Sequence, residues 1–221
     1  MPLIRTSRTP FARFSLGALL LLAATWPARA DFIAYVVPAG TDGNQLWGGP
    51  LGMDFNVNKQ IIVTALGVFD DDSNGLTQTL TARLYDRTNT AAPLVSLTFT
   101  PADPGTLIGG SRFKDLPAPL SLMPGFQGCI VAVGYGGTEE NGNGMGGGVV
   151  WTMDSGGGAI SFVGSARYGF DPNAYPPNVD GGPANRYAAG TFAARLPEPA
   201  TLALLGLGGL AALVRRRRAP R

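Results

Sequence analysis

Alternation of apolar and polar residues with a period of two recurs along the middle of the chain and limits the fold more than any other feature. Residues 61–69 read Ile-Ile-Val-Thr-Ala-Leu-Gly-Val-Phe, and within residues 78–86 Leu80, Ala82 and Leu84 fall on one side of an extended chain. Side chains of a strand point alternately to its two faces, so this pattern is typical of strands with one buried face. The same pattern predicts strands at 32–37, 52–57, 94–100, 111–116, 120–123, 126–135, 149–153, 159–163 and 190–195.

Turn-forming residues separate these segments, as at Asp103-Pro104-Gly105 and Pro124-Gly125. No segment carries the 3.6-residue period of an amphipathic helix. We therefore expect an all-β domain, an antiparallel β-sandwich of jelly-roll type. Two segments are expected to be long loops: the glycine-rich residues 139–148, predicted to be mobile, and residues 171–185, rich in Pro, Asn and Gly.

The N-terminus has the three parts of a secretory signal peptide. A basic region comes first, then the apolar residues 16–24, then the small-residue site Ala28-Arg29-Ala30; the basic region contains Arg5, Arg8 and Arg13. This order predicts export, with removal of residues 1–30 as an N-terminal signal helix.

The C-terminus also has three parts in a fixed order. They are Pro197-Glu198-Pro199, the apolar run 200–214, and a basic cluster of Arg215, Arg216, Arg217 and Arg218. As a helix the apolar run would rise about 22 Å at ~1.5 Å per residue, short of the ~30 Å hydrocarbon core of a bilayer. We expect a transmembrane helix that holds the chain temporarily, with the arginines in the cytoplasm.

This tail resembles the PEP-CTERM sorting signal in all its parts. The resemblance implies a Gram-negative bacterium that exports extracellular polysaccharide, with a membrane-anchored precursor crossing the inner membrane. It also implies a processing enzyme, exosortase, as partner, with Pro197, Glu198 and Pro199 as the recognition tag. The chain thus divides into a signal peptide (1–30), a β-sandwich domain (31–195) and a sorting segment (196–221). Segments of residues 44–135 also resemble bodies found on other proteins with this tail and β-sandwich domains attached to carbohydrate-active proteins.

The charge of the body differs from that of the whole chain. Nine of the seventeen basic residues lie in the two end segments, and residues 31–196 hold fourteen acidic against eight basic residues, a net charge of −6. An acidic surface argues against nucleic acid as a partner, because phosphate backbones are bound by basic surfaces. Cation binding or association with polysaccharide fits this charge better.

Residues suited to catalysis are sparse. The chain has no histidine, so it cannot form a Ser-His-Asp triad or a His-ligated zinc site. The single cysteine, Cys129, lies in an apolar strand pattern and is expected to be a buried, inert thiol; a reactive thiol is the alternative. Glycosidases need two carboxylates that face each other across a cleft. Glu139 and Glu140 are adjacent in sequence, and such neighbours rarely face each other across a site. We expect a protein that is not an enzyme; a secreted polysaccharide hydrolase or lyase is the alternative.

Residues 70–75 match the first half of a calcium-binding loop. Asp70, Asp72 and Asn74 occupy alternate positions before Gly75, which would let their oxygens surround a hard cation. Thr81 stands where a bidentate Glu would complete an EF-hand, so an EF-hand is excluded. A calcium-bound hairpin turn and an ordinary solvated turn both remain open; no other cofactor is expected.

Aromatic residues near predicted loops are candidates for contact with sugars. Trp47 lies in a glycine-rich turn and Tyr135 borders another loop. Exposed rings can stack on sugar faces, but a small sandwich also needs aromatic residues in its core. Together with the tail, these residues suggest a surface or extracellular-matrix protein associated with exopolysaccharide or biofilm.

Overall fold

The computed structural model describes residues 31–145 and 149–197. The predicted signal helix, Glu198, Pro199, the apolar run and the arginine cluster lie outside these residues. Within the described part, the chain is almost entirely β-structure with one 3₁₀ turn, Asp71–Ser73. The strands are β1 (Asp31–Ile33), β2 (Tyr35–Val36), β3 (Leu51–Val57), β4 (Ile61–Phe69), β5 (Leu80–Asp86), β6 (Val95–Phe99), β7 (Thr106–Ile108), β8 (Ser111–Leu122), β9 (Gln127–Val133), β10 (Gly142–Asn143), β11 (Thr152–Met153), β12 (Ile160–Tyr168), β13 (Asn178–Val179), β14 (Tyr187–Ala188) and β15 (Gly190–Arg195). No helix in this part is long and apolar enough to cross a membrane.

Two antiparallel sheets form the body. One has five strands in the order β1-β15-β4-β8-β7, and the other has six in the order β13-β12-β3-β9-β5-β6. Two small pairs, β10 with β14 and β2 with β11, extend this framework. The predicted all-β, antiparallel fold is therefore confirmed.

One hydrophobic core joins the two sheets. The rings of Phe55 in β3 and Phe192 in β15 belong to different sheets, yet their centroids lie 4.8 Å apart. Leu80, Ala82 and Leu84 are fully buried in the same core, as their alternation in the sequence predicts. The two sheets thus face each other, and in strands such as β4 and β5 the buried face is the apolar face of the sequence.

Strand β8 differs from its prediction because it is one strand where two were expected. Its register against β4 shifts between Asp115, which pairs with Ala65, and Leu120, which pairs with Val63. Pro117 and Pro119 lie inside this irregularity and are exposed. Proline has no N–H to donate to a ladder and is tolerated at bulges and edges, so the two prolines lie at the register shift without ending the strand.

Two loop predictions also change. The prediction of a mobile loop is wrong for residues 139–143, because Glu139, Asn141 and Asn143 are buried and β10 lies there. Residues 171–185 form the predicted long loop, but it includes the short strand β13, which pairs with the end of β12. Residues 149–153 were predicted as one strand, and only β11 forms.

The strands give the body two distinct ends. We call the end with the turns 58–60, 123–126 and 154–159 the proximal end; β1 begins and β15 finishes there, with Asp31 paired to Arg195. We call the opposite end, formed by residues 38–50, 70–79, 134–145 and 169–189, the distal end.

Candidate functional site

A cleft at the distal end brings together residues from three separate segments of the chain. Its volume is about 260 Å³. One wall comes from the chain before β3, and the other walls come from the end of β12 and from the segment between β13 and β14. The residues that line it are Gln45, Trp47, Tyr168, Val179, Asp180, Gly181, Arg186 and Tyr187.

Aromatic rings make one side of the cleft. The Trp47 indole packs edge-on against Tyr168, with centroids 5.9 Å apart, and lies 5.4 Å from the ring of Phe170. Phe170 is 75% exposed, so this aromatic group reaches the surface. Gly49 permits the arrangement, because a Cβ there would lie 2.1 Å from the carbonyl oxygen of Gly169.

A fixed polar group makes the other side. Oδ1 of Asp180 accepts hydrogen bonds from Nη1 of Arg186 at 2.6 Å and from the N–H of Gly182 at 2.8 Å. The hydroxyl of Tyr187 donates to Oδ2 of the same carboxylate. Nε of Arg186 donates to Oδ1 of Asn143 at 2.9 Å, which holds the guanidinium against β10. Rigidly held donors and acceptors beside aromatic rings can orient a polar ligand.

The partners of Asp180 change the acidity of the cleft. Burial alone would raise the pKa of Asp180, but hydrogen bonds from Tyr187, Gly182 and Arg186 together lower it. Burial and the bond to Asp180 raise the pKa of Tyr187. At neutral pH the cleft therefore contains a carboxylate paired with a guanidinium and a protonated phenol.

The carboxylate of Asp180 should stabilise the body only while it is ionised. Because its folded pKa is lower than its unfolded value of ~3.9, its contribution is present above that value and is lost as pH falls through the folded pKa. We expect Asp180→Asn to lower the unfolding free energy by about 2 kcal/mol at pH 7. Urea unfolding from pH 7 to pH 2 should show the difference shrinking as the wild type protonates. A difference that is constant with pH would contradict this account.

Tyr135 does not belong to the cleft, and the prediction that it contacts sugar needs correction. Its ring is only 2% exposed, and its hydroxyl donates to the carbonyl oxygens of Phe69 at 3.1 Å and Ala189 at 2.8 Å. A ring held this way joins β4 to the chain before β15 and cannot stack on a sugar. Trp47 is the member of the predicted pair that lies in a cleft.

The predicted calcium ligands are separated by the fold. Asp70 is fully buried, and its Oδ2 accepts from Nε of Arg112 at 2.5 Å. Asp72 is exposed at a positive φ of 59°, and Oδ2 of Asp72 accepts from the amide of Asn74 at 3.4 Å. Asp70 is thus matched to a guanidinium, while Asp72 and Asn74 lie in a solvated turn.

Neighbouring acids hold this turn to the body through backbone N–H groups. Asp71 accepts from Gly43 at 2.6 Å, and Glu139 accepts from Asp71 at 3.1 Å and from Thr77 at 2.8 Å. Burial raises the pKa of Glu139, although these N–H donors oppose the shift. Among residues 31–145 and 149–197, no three Asp, Glu, His or Cys side chains are grouped to hold a metal. Calcium binding stays a prediction from the sequence that this arrangement does not favour.

A second polar cluster lies on the outer face of the six-stranded sheet. Both carboxylate oxygens of the buried Asp54 accept from Nε of Arg167 at 2.8 Å, and Arg87 lies 3.8 Å away. Tyr175 covers the cluster and packs against Arg167. Cys129 is buried beneath it, and burial, followed by the nearby Asp54, raises the pKa of its thiol. The predicted buried thiol is confirmed.

Comparison with known families identifies the C-terminal segment. The family model described as a PEP-CTERM protein-sorting motif matches residues 196–218. The chain carries a PEP-CTERM sorting motif. The motif indicates an extracellular protein sorted by exosortase, exported and anchored in a membrane as a precursor. No curated protein matches the chain.

The PEP-CTERM motif begins where the body ends. Leu196, the first matched residue, follows directly on β15 and packs partly buried against the core. Pro197 is also partly buried. The recognition tag is therefore joined to the folded body without a long linker.

Sequence reasoning found one wall of the cleft and missed the other. Trp47 stands out in the sequence as an aromatic residue in a glycine-rich turn, whereas Asp180 falls within the predicted loop 171–185 and nothing in the sequence marks Arg186. The only available signal was the Asp-Gly-Gly run at 180–182, which is typical of a turn whose Asp accepts from the backbone.

Proposed function

We propose that this chain is a non-enzymatic cell-surface or matrix protein of a Gram-negative bacterium, associated with exopolysaccharide in a biofilm. In this proposal the chain has the three predicted segments, which are a signal peptide (1–30), a β-sandwich domain (31–195) and a sorting segment (196–221). The observation that carries it is the cleft, in which the partly buried Trp47, packed against the exposed Phe170 at its edge, lies beside the fixed pair of Asp180 and Arg186.

The chemistry of the cleft suits a sugar ring. Faces of sugars are rich in C–H groups that pack on the electron-rich face of an indole, and their hydroxyls both donate and accept hydrogen bonds. Asp180, Arg186 and Gln45 line the cleft beside the Trp47 indole and offer hydrogen-bond acceptors and donors to such hydroxyls. Nε1 of Trp47 is buried without a partner among the described residues; buried donors normally have one, so a water or a ligand hydroxyl is expected to complete it.

The proposed non-enzymatic role is supported by the make-up of the cleft. Asp180 is the only carboxylate among the described residues that line it, and its charge is matched by Arg186. Hydrolysis of a glycosidic bond ordinarily uses two carboxylates on opposite sides of the bond. The proposal requires no cofactor.

We further propose that the body is a jelly-roll sandwich. The strand order supports this. One sheet contains the order β1-β15-β4-β8 and the other contains β3-β9-β5-β6. In each set, the strand that comes first in the chain lies beside the one that comes last, and the two strands that lie between them in sequence follow. Strand β12 extends the second sheet beyond β3. Jelly rolls occur in lectin domains, so the fold is compatible with sugar binding without requiring it.

Trp47→Ala tests the proposed contact. In a native gel containing the host's exopolysaccharide, the wild type should be retarded and Trp47→Ala should lose most of the retardation, because the substitution removes the aromatic surface on which a sugar ring would pack. Trp151→Ala is the matched control, since Trp151 is also partly buried but does not line the cleft.

Two outcomes would contradict the proposal. Equal mobility of the wild type with and without polysaccharide would remove sugar association. Release of new reducing ends or unsaturated products during incubation would favour the alternative, a secreted polysaccharide hydrolase or lyase.

A further inference from the structure

The two segments that direct this chain to the membrane are attached at neighbouring points of the body. Asp31, the first residue after the predicted signal-peptide site, pairs directly with Arg195 in the antiparallel β1–β15 ladder. Strand β15 runs from the distal end to the proximal end, whereas β1 runs away from the proximal end. Both the entry and the exit of the chain therefore lie at the proximal end.

The connection to the apolar run is short. Leu196 is fixed by packing against the core, and three residues lie between it and Ala200, the first residue of that run, so the connection has four Cα-to-Cα steps. Fully extended, these four steps span about 14 Å at ~3.5 Å each. The headgroup layer on one side of a bilayer takes up about 5–7 Å of that reach. Prolines at 197 and 199 restrict the connection further, since each fixes its own φ.

We propose that, in the anchored precursor, the proximal end lies against the lipid headgroups and the cleft at the distal end faces away from the membrane. The inference rests on the anchoring that the sorting motif indicates. The connection from Leu196 to Ala200 is too short for the distal end to reach the bilayer while the proximal end is away from it. The distal end could touch the bilayer only if the body lay flat on the membrane. In the upright orientation the cleft is open to extracellular polymer before the tail is removed.

The composition of the two ends favours the upright orientation. Met123 at the tip of a proximal turn is 58% exposed, and Lys59 lies in the adjacent turn. The distal end carries the exposed carboxylates of Asp42, Asp72 and Asp171, whereas the three proximal turns carry one, Asp154, in the turn that Lys59 contacts. Strand β4, with nine residues, separates the ends by about 30 Å at ~3.3 Å per residue. That distance exceeds a Debye length of about 8–10 Å, so in the upright orientation the carboxylates of the distal end are screened from anionic headgroups.

Cysteine labelling of the full precursor tests the orientation. Met123→Cys and Leu46→Cys place thiols of matched exposure, 58% and 57%, at the proximal and distal ends. Each is expressed in a strain lacking exosortase, and spheroplasts are treated with a PEG-maleimide before and after addition of mild detergent. The wild type, whose only cysteine is the buried Cys129, is the background control. Ser121→Cys, on the exposed proximal part of β8, is a second proximal probe should Met123→Cys fold poorly.

The expected result is protection at the proximal end alone. Before detergent, Met123→Cys should react about tenfold more slowly than after it, because a competing orientation would be populated at about 10% or less. Leu46→Cys should react at the same rate in both conditions. Equal rates for both variants, or protection of Leu46→Cys, would overturn the proposed orientation. Full-length chain absent from the membrane fraction would overturn the anchoring as well, so the two failures are distinguishable.

Discussion

Phe192→Ala is expected to destabilise the body by about 4 kcal/mol, because truncation of a buried aromatic residue removes its contacts and leaves a cavity. The Phe192 ring is fully buried and meets Phe55 across the interface between the two sheets. Neighbours of Phe192 within its own sheet are not expected to fill the cavity, because the residue that faces it, Phe55, belongs to the other sheet. Urea unfolding of the secreted protein, followed by tryptophan fluorescence, measures the loss.

Phe170→Ala is the matched control for this prediction. Phe170 is the most exposed large apolar residue of the described part of the chain and packs against Trp47 at the surface. Its truncation should cost less than about 1 kcal/mol, as is usual for surface positions. Similar losses for Phe192→Ala and Phe170→Ala would contradict the packing of the two sheets around Phe192.

Asp54→Asn is expected to cost about 3 kcal/mol, because it leaves the guanidinium of Arg167 without its charge partner in a largely buried site. Arg87 would lose the same carboxylate. Both guanidinium groups keep some contact with water, which places the loss at the lower end of values for buried pairs. For a body of this size the melting temperature should fall by about 6–12 °C.

Asp103→Asn is the control for Asp54→Asn. Asp103 also forms an ion pair, with Lys114 at 2.6 Å, but its side chain is 75% exposed. Exposed pairs contribute about 0–1 kcal/mol, so this variant should melt within about 4 °C of the wild type. A comparable fall in melting temperature in both variants would contradict the expectation that burial makes the Asp54 ion pair contribute more to stability than the exposed Asp103 pair.

Strand positions could be predicted well where local pattern and tertiary burial agree. Strands β4 and β15 have the predicted bounds, and β5 lies inside its predicted range, because their apolar residues alternate and one face is buried in the core. Strand β8 shows the limit of this reasoning. Pro117 and Pro119 look like strand breakers, and only the ladder with β4 shows that a bulge accommodates them.

The cleft could be predicted only in part because its residues are distant in sequence. Trp47 and Asp180 are brought together by the course of two loops, and nothing in either segment specifies the other. Tyr135 shows the reverse error. It borders a glycine turn, yet its hydroxyl finds two backbone carbonyls that only the folded chain provides. Asp70 likewise meets Arg112 across 42 positions of sequence, a pairing invisible to a loop motif.

We propose that the exported protein is held in an exopolysaccharide layer through the Trp47 cleft. The most direct test is fractionation of the processed chain, with its tail removed as shown by intact mass, in strains with and without exopolysaccharide synthesis. We predict that the wild type sediments with the matrix only when the polysaccharide is made, and that Trp47→Ala passes into the medium in both strains. Identical distribution of the wild-type chain in the two strains would contradict the account.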